Sequence, residues 1–183
     1  MRFLNPDDHA RGLLLQRGQR GFADAPVPVL QQAFLDAANA VERELQTVLR
    51  HGEAVGVETV LSSGKYRPLV EFVRGQGGFV GLIYIALASP ELAAARVARR
   101  VQTGGHDVPP DKIRARWQRS LANLPGFAAR ASAFWVFDNS DENPAVPPPL
   151  IAAGRSGALD FLEPFAADAL RNSLNHLPRL QRH

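Results

Sequence analysis

The run Phe79-Val-Gly-Leu-Ile-Tyr-Ile-Ala-Leu87, followed at once by Ser89-Pro90-Glu91, constrains the fold more than any other stretch of the chain. An unbroken apolar run of this length predicts a strand buried on both faces, as in a parallel sheet covered by helices. The three residues after it predict a helix start. A serine hydroxyl can accept from the first free N–H groups, and proline is tolerated where no helical N–H bond is lost. A strand that feeds a helix, repeated along a chain, implies right-handed βαβ crossovers and an α/β fold around a parallel sheet.

The rest of the chain fits that alternation. Phe3-Leu4 ends a strand at Asn5-Pro6-Asp7-Asp8, and a short helix is expected from His9 to Leu15. Leu30, Phe34, Ala37, Val41, Leu45 and Val48 recur at steps of three and four, which predicts a helix over 29–50 with Gly52 just past its end. Ala54 to Leu61 reads as a strand, Ser62-Ser63-Gly64 as a turn, and a helix then runs to about Gly75 with Pro68 in its first turn. The helix after Pro90 buries Ala94, Val97, Ala98 and Val101; Thr103 to Val108 is a loop; and a helix from Pro109-Pro110 buries Ile113, Trp117 and Leu121. Phe134 to Phe137 is expected as the last strand, Pro144 to Pro149 as a proline-rich connector, and Phe161 to Leu177 as a terminal helix. The expectation is an α/β domain over 1–142, with a helical arginine-rich lid at about 90–123, and an appendage over 143–183.

Length and composition exclude several classes. A chain of 183 residues with 45% apolar and 21% charged residues is an ordinary globular chain rather than a disordered one. The absence of cysteine excludes disulfides, thiolate metal sites and a cysteine nucleophile. No apolar run approaches the roughly 18 residues of a membrane span, and Met1-Arg2 leads into no signal-peptide core, so a cytoplasmic protein without a membrane partner is expected. The net charge is only +3, but between Arg96 and Arg119 seven basic side chains stand against Asp107 and Asp111. A short basic segment suits a local phosphate group. A nucleic-acid track is disfavoured, because no aromatic stacking platforms are interleaved with these arginines.

In parallel sheets the ligand lies beyond the carboxyl ends of the strands, and Asp7, Glu58-Thr59 and Asp138-Asn139 fall at such ends. Asp7 can accept a proton from a substrate hydroxyl, or it can cap the helix that follows. Glu58, at the polar end of an apolar strand, can meet a ligand hydroxyl or an arginine. Arg96, Arg100 and Arg116 can grip phosphate oxygens, or they can form a solvated helix face. His106 is expected to order its loop by donating a hydrogen bond. No residue set is assigned to a metal.

Asn5-Pro6-Asp7 with Arg11, Val57-Glu58-Thr59-Val60-Leu61-Ser62, Ser89-Pro90-Glu91-Leu92, Arg96 to Val101, Gly104-Gly105-His106-Asp107-Val108-Pro109, Arg119 to Leu124 and Asp138-Asn139-Ser140 together resemble the zeta-toxin-like P-loop kinases, in the branch labelled ABC-type ATPases. The resemblance spans about residues 2 to 140. It implies a three-layer P-loop kinase fold and transfer of phosphate from ATP, with Mg2+, to a hydroxyl of a small molecule such as the nucleotide sugar UDP-N-acetylglucosamine. It implies Asp7 as base, Arg11, Glu58 and Thr59 as acceptor-binding residues, and Arg96, Arg100 and Arg116 on the ATP phosphates.

One departure stands out. Family members carry a strand and a Gly-x-x-x-x-Gly-Lys-Ser/Thr loop ahead of the Asn-x-Asp strand, whereas Met1 already stands at that second strand. Gly64-Lys65 fails the pattern at Thr59 and at Tyr66. Two expectations follow: a start further upstream, or a non-catalytic truncated remnant or interaction module whose open sheet edge pairs as a homodimer. An antitoxin partner is a further implication of the family.

Overall fold

The computed structural model describes residues 1–143 and 145–180; Pro144, the first residue of the expected connector, and the chain's last three residues lie outside the described residues. The protein is mixed α/β and divides into two units. Residues 1–60 and 96–108 form the first, and residues 61–95 and 109–183 the second.

In the first unit, β1 (Arg2–Leu4) and β2 (Val55–Val57) pair in parallel, with Phe3 opposite Gly56. Helix α1 (Pro6–Gln16) begins directly after β1, three residues earlier than expected, because the Asn5 side chain accepts the Asp7 N–H at 2.8 Å and Pro6 takes the first helical position. Helix α2 (Val27–Arg50) buries Ala33, Ala37, Val41, Leu45 and Val48, close to the predicted stripe. Gly52 follows in the left-handed conformation the cap needs. Ala10 and Leu14 of α1 pack on Phe22, Ala33 and Ala37, and the rings of Phe22 and Phe34 stack at 5.5 Å.

The second unit is a four-stranded sheet in the order β3 (Gly81–Ala86), β4 (Ala133–Asp138), β5 (Leu150–Arg155) and β6 (Ala158–Leu162). Only β3 and β4 are parallel; β5 and β6 run antiparallel to their neighbours. Between β3 and β4 come α4 (Pro90–Gln102), whose residues from Arg96 belong to the first unit, and α5 (Pro110–Ala128). Ser89 caps α4 by accepting the Leu92 N–H. Helix α3 (Arg67–Gly75) precedes the sheet, and α6 (Asp168–Leu174) follows it.

The single parallel sheet expected from the alternation is therefore corrected. The strands form a parallel pair and a separate mixed sheet. Residues 150–162 are a hairpin, and Phe161 and Leu162, expected to start the terminal helix, belong to its second strand. Its two turn residues, Ser156 and Gly157, both have positive φ, 48° and 79°, the geometry that matches strand twist. The terminal helix is confined to seven residues.

The strand expected to be buried on both faces is covered on one. Leu82, Tyr84, Phe134, Val136, Ile151 and Leu159 meet α5 and α6 through Leu121, Leu124, Phe127, Leu170 and Leu174. On the other face Ile83 is 66% and Ile85 52% exposed. The stripe expected along α4 has no fully buried residue.

The Tyr84 hydroxyl lies 3.0 Å from the Ser120 hydroxyl on α5, and burial pushes its phenol above the ordinary value of 10.0. The folded state disfavours tyrosinate, so this stability is present below pH about 10 and is lost as pH rises through the raised value. In chemical denaturation between pH 8 and 12, Tyr84→Phe should lose stability less steeply with alkali than the parent. Equal slopes would show that this phenol does not carry the effect.

Candidate functional site

In the first unit the chemistry gathers where β1 and β2 end. Asn5 follows β1 and Glu58 follows β2, and the Glu58 N–H donates to the Leu4 carbonyl at 3.1 Å, so the parallel ladder sets the two side by side. The Asn5 side chain uses both of its ends. Its oxygen accepts from Asp7 N–H, and its NH2 donates to Glu58 Oε2 at 2.7 Å. Asp7 thus caps nothing with its own side chain; Asn5 does that work. The Asp7 carboxylate stays 46% exposed in the first turn of α1, and Oδ2 lies 3.7 Å from His106 Nδ1.

His106 is placed by the end of α4. The Arg100 carbonyl accepts from Thr103 N–H, the Thr103 hydroxyl and Gly105 N–H at 2.9–3.1 Å. Gly104 supplies the left-handed turn at φ 89°, and a Cβ on Gly105 would lie 2.9 Å from that same carbonyl oxygen. The chain then delivers the His106 ring edge-on to Phe34 and Phe22, at 5.0 and 5.5 Å, with its side chain only 15% exposed. Arg11, one helical turn beyond Asp7, sets its guanidinium 5.2 Å from the Phe22 ring.

Of the sequence-predicted residues, Asp7, Arg11, Glu58, Thr59, Arg96 and Arg100 all belong to this unit. The structure brings Asp7 and Glu58 together through Asn5. Thr59 is exposed beside Glu58, Arg96 is half-buried and Arg100 is exposed. Arg116 lies on α5 in the second unit, where it is half-buried. Asp138, also in the second unit, accepts the Ser140 N–H and hydroxyl, and the Ser140 hydroxyl oxygen accepts Ala88 N–H at 2.8 Å; this carboxylate fastens the ends of β3 and β4. Sequence reasoning missed Asn5 as a bridging residue, although its place between a strand end and a proline at N1 is a readable cap signal. It also missed the aromatic pair around His106, for which no local signal exists.

Gly64-Lys65, the sequence's one Gly-Lys pair, does not fit the phosphate cradle of magnesium-bound ATP. Among the described residues no three histidine or carboxylate side chains gather as a metal set. At Gly64-Lys65 the Lys65 ammonium lies 5.7 Å from the Tyr66 ring, and the Lys65 N–H donates to Ser63 Oγ. Tyr66 offers no aliphatic hydroxyl of the kind that binds magnesium in a phosphate cradle. No protein-family model, no curated protein and no solved structure matches the chain.

Asn5→Ala should destabilise the first unit by about 1–2 kcal/mol, through loss of the cap and of the bond to Glu58. Asn5→Asp keeps the cap but sets a second carboxylate against Glu58, so its deficit should shrink as pH falls below about 4, where carboxylates take up protons. Urea titrations near neutral pH and in that acid range test both. A deficit in Asn5→Asp that is the same under both conditions would break the assignment.

Proposed function

We propose that the first unit is the acceptor side of a phosphoryl-transfer site in a P-loop-kinase-like protein. It binds a hydroxyl-bearing small molecule, and Asp7 accepts the hydroxyl proton. The single observation that carries the reading is the pairing of Asp7 and Glu58 through Asn5 at the carboxyl ends of two parallel strands. Asp7 is exposed, so a substrate can reach it, and its main chain is anchored at the start of α1 by the Asn5 side chain. A base must lie within hydrogen-bond reach of the proton it takes, and a rigid strand-to-helix junction provides that. Glu58 accepts from a second hydroxyl or an amide of the acceptor. Arg11, Arg96 and Arg100 supply positive charge in the same unit, suited to an acceptor that carries phosphate, such as a nucleotide sugar. ATP and magnesium come from the resemblance alone, and no residue here is assigned to hold either.

A second reading, a non-catalytic interaction module, is favoured by the exposed Ile83 and Ile85 on the edge strand β3. No helix among the described residues is long and apolar enough to cross a membrane.

Titration of the chain with UDP-N-acetylglucosamine, followed by amide NMR, separates the readings. The first expects saturable shifts at Asp7 and Glu58. Glu58→Gln should weaken binding about tenfold, the worth of one bond to a charged acceptor. Asp7→Asn should leave binding within about threefold but lower any phosphoryl transfer by roughly 10²–10⁴. Silent resonances at both carboxylates would abandon this acceptor class, and an unimpaired transfer rate in Asp7→Asn would remove Asp7 as the base.

A further inference from the structure

The second unit holds a cluster of arginines that the acceptor reading does not use. Four of its arginines are neutralised by carboxylates: Arg114 by Glu91, Arg130 by Glu71, Arg155 by Asp160 and Arg171 by Asp168. Arg67 and Arg119 are different. Arg119 Nε donates to the Ser62 carbonyl at 3.2 Å. Arg67 Nη2 donates to Asn123 Oδ1 at 2.8 Å, and Asn123 Nδ2 in turn donates to the Leu61 carbonyl at 3.0 Å. Both guanidinium groups are therefore fastened to one short loop, Leu61–Arg67, by α5, on which Arg119 and Asn123 are one turn apart. Neither makes an ion pair with a described residue.

Their surroundings leave that charge uncompensated. Arg67 is half-buried, its Nε is buried without a hydrogen-bond partner, and its guanidinium lies 5.7 Å from the Phe127 ring. A partly desolvated cation satisfied only by an amide oxygen and an aromatic face carries a free-energy cost that a bound anion removes. Arg119 is exposed and uses only Nε, which leaves its two terminal nitrogens as an open fork. The Leu61 backbone has φ 58° although the residue is not glycine, and its buried side chain and the two anchored carbonyls hold it there. Such strain persists only where the surroundings over-determine it.

We propose that the loop Leu61–Arg67 and the facing side of α5 bind a phosphate-type oxyanion, free or as a monoester, gripped by Arg119 and balanced by the Arg67 charge. A guanidinium with its terminal nitrogens free offers a fork that matches phosphate oxygens, and a second cation fastened to the same loop adds charge for a dianion. The proposal does not rest on the acceptor reading.

The test is thermal denaturation and NMR titration of the full chain with sodium phosphate, against sodium chloride at matched ionic strength so that screening cancels. Phosphate should raise the melting temperature saturably and shift resonances in 61–67 and 119–123. Arg119→Gln should weaken phosphate binding about tenfold, with the anion-free melting temperature little changed. Arg155→Gln, which breaks only a surface ion pair, should leave binding unchanged. UMP beside uridine identifies the source. Binding of UMP but not uridine supports a phosphomonoester ligand, and binding of phosphate alone supports a site closed to esters. Equal effects of phosphate and chloride, or full affinity in Arg119→Gln, would overturn the proposal. Arg67→Gln risks unfolding the loop, so Arg119→Gln is the deciding variant.

Discussion

The amide of Asn5 stands at the junction on which the first unit is organised. An asparagine side chain has an acceptor end and a donor end, and here each has a different partner. The acceptor end starts α1 by taking a helix N–H that would otherwise lack a partner, and the donor end reaches across the parallel pair to Glu58. Helix start and strand register are thereby coupled. If β2 slipped by one residue, Glu58 would point to the opposite face of the ladder and the bridge would be lost. The Glu58 carboxylate and the Asp7 main-chain N–H of the proposed acceptor site are both bonded to this one side chain. Aspartate or serine would serve as a cap but could not reproduce the pair, because aspartate has no donor and serine lacks the reach.

The helices were legible because their signals are local. The spacing of Ala37, Val41, Leu45 and Val48, the Ser89-Pro90 start and the Gly52 stop all lie within a turn or two of the residues they govern, and each recurs in the structure. The sheet was less legible. An apolar run such as Phe79–Leu87 looks the same whether one face is covered or two, since periodicity reports alternation only when the outer face is polar. Here Ile83 and Ile85 are apolar and open. The hairpin was hidden because the small residues Ala152, Ala153 and Gly154 carry little of the apolar alternation that marks a strand. The Ser156-Gly157 pair between two short apolar runs was its only local mark.

The site divides in the same way. Asp7 and Glu58 were readable because a polar residue at the end of an apolar strand is a positional signal. What joins them was not, since Asn5 and Glu58 are 53 residues apart and no pattern in a single sequence announces such a pair. His106 shows the limit from the other side. Its loop was plain from Gly104-Gly105, yet the ring's packing on Phe22 and Phe34 depends on side chains far earlier in the chain.

Charge makes the last distinction. Along the sequence the arginines from Arg96 to Arg119 form one basic block, and a block suggests one function. In space the block divides, with Arg96 and Arg100 in the unit of Asp7 and with Arg116 and Arg119 in the other. Within a unit, pairing separates arginines that a count of charge does not. An arginine with a carboxylate partner already has its anion, and a surface pair of that kind contributes little to stability. An arginine held by carbonyls and amides has its geometry set and its charge unanswered. Arg114 and Arg119 lie on one helix, yet the first is answered by Glu91 and the second by a main-chain oxygen. On that physical difference, rather than on the count of basic residues, Arg119 belongs to a binding site and Arg114 to the surface.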